Sequence, residues 1–263
     1  MNPTSRQPVG SPFCAMMLSK CAVIWGIESG RRGIQRAVVR RWVAPYDVGG
    51  ESYTMTQATP QARPRIISSD TQRGSPKDRT PPGQVLTAKW PVLHYGNVPN
   101  VDPTRADWRL RVFGLVEDEC ELTYDEIRKM PAVDVVCDMH CVTHWSRLNN
   151  TFTGVPTRAI VERAKPKPNA KYVMCHSEAG FTVNVPLAEF IADDSILAYQ
   201  WEGEEITAEH GWPLRGLVPK LYLWKSAKWI RGIELRATDA PGFWEQNGYH
   251  MHGDPWTEER FGW

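Results

Sequence analysis

One stretch constrains this chain more than any other. Residues 133–146 read V-D-V-V-C-D-M-H-C-V-T-H-W-S. The first part alternates, with Val133, Val135, Cys137, Met139 and Cys141 on one parity and Asp134, Asp138 and His140 on the other. A period of two sends successive side chains to opposite faces of a sheet, so the segment is read as a β-strand. The strand ends at Cys141, where Val142, Thr143, His144, Trp145 and Ser146 lead into a loop. A thiol at a strand end is held by the sheet and has space beside it. Thiolate sulfur is a soft ligand, suited to zinc, copper(I), iron–sulfur centres and molybdenum. Cysteine is also a common core residue. That is the reading for Cys137 and Cys175, each within an apolar strand pattern.

Composition narrows the class. A chain of 263 residues with 41% hydrophobic and 23% charged residues is that of a globular protein with one large or two small domains. A net charge of +1 argues against a general polyanion binder, so no nucleic-acid partner is expected. Six cysteines are too sparse for a disulfide scaffold and fit a reducing compartment, so the expected location is cytoplasmic. The apolar run at 13–27 is broken by Ser19, Lys20 and Cys21 and is short for a bilayer. Arg31 and Arg32 lack the apolar run that a twin-arginine signal requires. No membrane span is expected. Twelve tryptophans, many in the last third, imply a core packed with large rings there.

Residues 1–84 are rich in Arg, Ser, Thr, Gln, Gly and Pro and are read as a disordered or non-native N-terminal extension. Within them, Met55 is read as the natural start, and 68–83 as loop or disorder by composition. Order is expected from Val85, and residues 85–263 form the domain. Residues 108–113 alternate and read as a strand ended by Gly114. Residues 123–130 read as a helix with a Thr123/Glu126 capping box, a Leu122/Ile127 staple and a stop at Pro131. A second helix is expected over 155–164, with Pro156 in its first turn. Strands are expected at 172–177 and 180–185 as a hairpin, then a brief helix at 186–191. Further strands are expected at 196–201, 205–207, 214–218 and 229–235. The predicted architecture is α+β, a single sheet-dominated domain with short peripheral helices.

Three further segments carry chemistry. His94-Tyr95-Gly96 lies in an irregular loop, residues 209–215 read E-H-G-W-P-L-R, and 225–229 read K-S-A-K-W. Together they offer imidazoles, a guanidinium, ammonium groups and Gly-rich backbone. That set suits a phosphate-bearing ligand.

In combination these segments resemble the molybdopterin-dependent oxidoreductase domain of the sulfite oxidase family, from Lys89 to the C-terminus. Residues 90–103 (W-P-V-L-H-Y-G-N-V-P-N-V-D-P) resemble the family's opening loop. Phe113-Gly114-Leu115-Val116 with Leu122-Thr123 resembles its first strand and turn. Residues 196–219 resemble its L-A-Y strand, Gly turn and H-G-x-P-L-R-x-x-V-P signature, and Lys228-Trp229 its Lys-Trp pair. Cys141-Val142-Thr143-His144-Trp145-Ser146 and Glu259-Arg260-Phe261 resemble the soluble bacterial branch related to methionine sulfoxide reductase catalytic subunits.

The resemblance implies that Cys141 is the thiolate ligand of molybdenum in a molybdenum–molybdopterin cofactor. It implies two-electron oxygen-atom transfer on a small, sulfur-containing substrate. His94, Tyr95, Gly96, His210, Arg215, Ser226 and Lys228 fall where the family contacts the pterin, its phosphate or the substrate. No haem is expected in this chain, so a separate electron-transfer or haem protein is the expected partner. Two departures point away from sulfite. Phe181 stands where sulfite oxidases carry an active-site Tyr, before Val185-Pro186-Leu187, and the basic loop after the Cys is short. A different class is also open. Cys137, His140, Cys141 and His144 spell C-x2-H-C-x2-H, a pattern for a zinc-stabilised binding module. A strand running through Cys141 would place His140 on the face opposite Cys137 and Cys141, which opposes convergence. A metal-free interaction domain on the same fold is the third reading.

Overall fold

The computed structural model describes residues 62–262. The reading of residues 1–54 as an extension and of Met55 as a start lies outside them. In chain order the strands are β1 (Arg65–Ile67), β2 (Val85–Leu86), β3 (Leu110–Gly114), β4 (Cys120–Leu122), β5 (Val133–His140) and β6 (Trp145–Pro156). There follow β7 (Tyr172–Ser177), β8 (Thr182–Pro186), β9 (Ile196–Trp201), β10 (Glu204–Glu205), β11 (Arg215–Leu217) and β12 (Ile230–Arg236). The helices are short: α1 (Tyr124–Lys129), α2 (Thr157–Arg163), α3 (Leu187–Phe190) and α4 (Phe243–Gln246). None is long and apolar enough to cross a membrane.

Two sheets form. One runs β1-β5-β6-β9-β10, with β2 added to β6 and β11 to β9; the other runs β4-β3-β12-β7-β8. β9 shows how the layers share a strand. Its Leu197 and Tyr199 enter the larger core with β3, β7, β12, α1 and α2. Its Ile196 and Ala198 enter a second core with Val133, Val135, Cys137, Met139 and Phe152. A fully buried side chain of this size contributes roughly 1.5–3 kcal/mol, so both faces of the first sheet are anchored. Gly154 is required where β6 crosses β9. A Cβ there would lie 2.2 Å from the Leu197 carbonyl oxygen.

Most expected elements form where their patterns place them. The α1 capping box is present, with Thr123 Oγ1 accepting from the Glu126 amide at 3.1 Å and the Glu126 carboxylate accepting from the Thr123 amide at 2.8 Å. The 172–185 hairpin forms as β7 and β8, joined by a short turn.

Two expectations are corrected. Order does not wait for Val85. β1 pairs in parallel with β5, and Arg79, at 9% exposure, forks onto Asp138 and reaches Asn149 Oδ1 at 2.7 Å. Within the polar 68–83 stretch Arg79 partners the buried Asp138 of β5, Ser68 donates to Asp194, and Asp70 accepts from Trp256. The second correction is β6. Residues 145–156 carry no clean alternation, yet form the longest described strand, because β5 and β9 supply ladders on both sides. Val155 and Pro156, expected to open a helix, therefore end the strand, and α2 begins at Thr157.

Candidate active site

β5 ends at His140, and Cys141 opens a tight reversal into β6. The His144 amide donates to the Cys141 carbonyl at 3.1 Å, and the Cys141 amide donates to Trp145 at 2.9 Å. His144 adopts φ 67 to close the turn. Segments distant in sequence pin it. Gln84 Nε2 donates to the Cys141 carbonyl at 3.0 Å, and His144 Nδ1 meets the Gly83 carbonyl at 2.9 Å. Arg260, from the C-terminal segment, donates to the Val142 carbonyl at 2.9 Å and to Pro82 at 3.2 Å. Residues expected as loop or disorder thus hold the cysteine in place.

The Cys141 thiol is 6% exposed and lines a cavity of about 290 Å³, near the lower end for small-molecule sites. Burial raises its pKa. The Thr143 hydroxyl, 3.2 Å from the sulfur, and the charges of Arg215 and Arg260 act in the opposite sense. The fold brings His94, Tyr95, Phe181, His210, Arg215, Ser226 and Lys228 to the same cavity; Gly96 does not line it. Trp90 is the platform of the cationic group. His210 stacks on it at 4.0 Å and the Arg215 guanidinium sits 5.5 Å above its ring. Gly211 (φ +115) carries the chain past Lys228, where a Cβ would lie 3.1 Å from the Lys228 Cα.

The charges in this group are mutually adverse. Burial, then Arg215 and Lys228, lower the His210 pKa to about 4, so the ring is neutral near pH 7. Burial, then Arg215, lower Lys228 to about 7. Burial lowers even Arg215, to about 10. Lys228 Nζ donates to the carbonyls of Leu93 and Glu209, both at 2.6 Å. Arg215 donates to His210 at 2.8 Å and Leu223 at 3.3 Å. Three buried polar atoms of cavity residues have no protein partner: Arg215 Nε, Ser177 Oγ and Trp145 Nε1. Buried polar groups of native proteins are paired. Unpaired donors beside a cationic group fit a polar, phosphate-bearing cofactor.

The other wall is a chain of rings: Tyr95 against Phe181, Phe243 and Trp244, and Trp244 stacked on Tyr249 at 5.1 Å. Trp90, Thr143, Ser177, Trp244 and Tyr249 were not singled out from sequence as site residues. The tryptophan count was the available signal, and it does not say which rings face a cavity.

Residues 95–244 match the family described as oxidoreductase molybdopterin binding domain. The chain belongs to this family. It is a molybdopterin-dependent oxidoreductase, and its cofactor is molybdenum–molybdopterin. An uncharacterised oxidoreductase, YuiH of Bacillus subtilis, is 48% identical over 193 residues, covering 73% of this chain and 97% of that one. A putative protein-methionine-sulfoxide reductase subunit, YedZ1 of Azospira oryzae, is 27% identical, covering 65% of this chain and 66% of its own length. The sulfane dehydrogenase SoxCD of Paracoccus pantotrophus shares the fold, with a TM-score of 0.51 and 21% identity over 59% of this chain and 43% of that one.

The other cysteine and histidines of the 137–144 motif point elsewhere. Cys137 is buried in the second core, and His140 Nδ1 meets Ser146 Oγ at 2.8 Å. His144 is engaged at Gly83. Among the described residues no cluster of three His, Cys, Asp or Glu side chains could hold a metal ion. The C-x2-H-C-x2-H pattern is therefore not gathered into one site.

Proposed function

We propose that this molybdopterin-dependent oxidoreductase transfers an oxygen atom to or from a small sulfur-containing substrate, with Cys141 as the protein's ligand to molybdenum. The observation that carries the reading is that Cys141 lines one cavity together with the cationic group and the ring wall. When bound, the cofactor supplies two-electron oxygen-atom transfer. Arg215, Lys228, His210, Ser226, His94 and Tyr95 hold its polar parts, with Arg215 and Lys228 supplying the charge for a phosphate or a substrate anion.

The ring wall favours a neutral substrate. Phe181 offers a ring face and no hydroxyl, and Arg215 and Lys228 already donate to backbone carbonyls. An S-oxide fits better than sulfite. Its reduction takes two electrons and two protons and yields the thioether and water. The electrons come from a separate protein, a role in keeping with the subunit naming of the Azospira relative.

A screen of the molybdenum-loaded protein tests this. S-oxides and N-oxides with reduced viologen dye should turn over, while sulfite with ferricyanide should be slow. Sulfite turnover at ordinary enzyme rates, ~10 s⁻¹ or more, would sink the reading. Phe181→Tyr should gain sulfite activity. No gain would move the cause to the short loop after Cys141.

A further inference from the structure

An S-oxide is recognised through one strongly polar acceptor oxygen. A wall of rings gives that oxygen no partner unless a donor is set into it. Five side chains lining the cavity carry hydroxyls: Tyr95, Thr143, Ser177, Ser226 and Tyr249. Thr143 is engaged with the Cys141 sulfur, and Ser226 with the Val218 amide. Ser177 Oγ is buried and unpaired, and stands among the polar atoms already given to the cofactor. Tyr95 is 62% exposed on an irregular loop.

Tyr249 differs from all four. Its ring is fixed on three sides: stacked on Trp244 at 5.1 Å, with Trp224 at 5.1 Å and Phe261 at 5.7 Å meeting it edge to face. Its hydroxyl has no hydrogen-bond partner among the described residues, and the residue lines the same cavity as Cys141. A phenol keeps its proton at neutral pH and can donate it to an acceptor. A donor held by packing at the wall of a site needs little reorganisation when its acceptor arrives.

We propose that the Tyr249 hydroxyl is the specificity-determining donor to the oxygen of a neutral S-oxide bound in this cavity. The assignment rests on the S-oxide reading above. It places the recognising phenol on the C-terminal segment, while the residue on β8's approach, Phe181, contributes only its ring.

The test compares two ligands that differ by one oxygen. Tetramethylene sulfoxide and tetrahydrothiophene are titrated into the oxidised, molybdenum-loaded protein, read by the fluorescence of the cavity tryptophans. Wild type should prefer the sulfoxide by roughly tenfold, the scale of one hydrogen bond in a dry site. Tyr249→Phe keeps the ring contacts and should bring the two affinities to within about threefold, with thioether affinity and molybdenum content unchanged. The assignment is overturned if Tyr249→Phe keeps the wild-type preference, or if it weakens both ligands alike. It is also overturned if that variant loses molybdenum, or if Tyr95→Phe is the variant that erases the preference. Viologen-linked turnover of the sulfoxide by wild type separates the two levels. Turnover with an unchanged preference in Tyr249→Phe removes only the assignment. Absence of both turnover and sulfoxide preference in wild type removes the S-oxide reading and the assignment with it.

Discussion

Two cysteines four residues apart on β5 and its turn have opposite environments. Cys137 is 0% exposed inside an apolar core, while Cys141 reaches the cavity. Cys141→Ser should fold normally and lose molybdenum-dependent activity. Cys137→Ala should keep activity and lose about 1 kcal/mol of stability, an ordinary core cost. Metal analysis beside a thermal melt of each variant checks both. Equal loss of activity in two folded variants would argue for a two-cysteine site. Lys228 sets a pH dependence. In cofactor-free protein its pKa of about 7 means that it loses charge as pH rises through neutrality. Inorganic phosphate should therefore bind more weakly at pH 8 than at pH 6, and Lys228→Met should flatten that profile. The sign for stability is the reverse. The folded value is below the ordinary 10.5, so the unfolded chain binds more protons between the two values and stability rises with pH across that window.

At the scale of elements, the Cys141 turn is made by β5 and β6 but held by segments far from it in sequence. Arg260 is the clearest case, a 6%-exposed residue donating to the Val142 carbonyl within the turn and to the Pro82 carbonyl of the segment beside it. Arg260→Ala should cost ~1.5–3 kcal/mol, the scale of a charged hydrogen bond. It should also raise the Cys141 pKa further, since the Arg260 charge favours the thiolate. Thermal denaturation and the pH dependence of thiol alkylation, both on metal-free protein, read the two effects separately. This clamp was not legible from sequence. The capping box of α1 was, because a cap is written within four residues. Arg260 and Val142 are 118 positions apart, and nothing local to either names the other.

Across the whole molecule, one buried ion pair ties the C-terminal segment to the sheets. Lys225 and Glu245 meet at 2.6 Å with side chains 0% and 1% exposed. Lys225 Nζ also donates to Asn184 Oδ1 at 2.7 Å and to Met251 at 2.6 Å, and Trp224 Nε1 donates to Glu245 at 2.8 Å. β8, the Trp224 turn, α4 and the residues beyond it are thereby joined, and the ring wall with Tyr249 stands on that junction. Lys225→Met leaves the Glu245 charge buried without its partner and should cost ~3–5 kcal/mol. Adding Glu245→Gln should return part of the loss. Urea denaturation measures both steps, and a shift in tryptophan emission of the single variant would report the disturbed wall. An undiminished unfolding midpoint in Lys225→Met would refute the role given to the pair.

The sequence by itself determined the strand that leads into Cys141, most of the other strands, the short helices and the residue types of the candidate site. Those features are local: period-two patterning, caps, prolines and contiguous motifs act over a few residues. Only the tertiary structure decided that residues 145–156 are a strand and that the polar stretch before Val85 packs on β5. It alone decided which of twelve tryptophans and eight tyrosines face the cavity. The physical reason is one of range. Ladder pairing of β6 with β9, the fork of Arg79 on Asp138 and the gathering of Cys141 and Tyr249 at one cavity join distant segments, and their energy appears only once the sheets have brought those segments together.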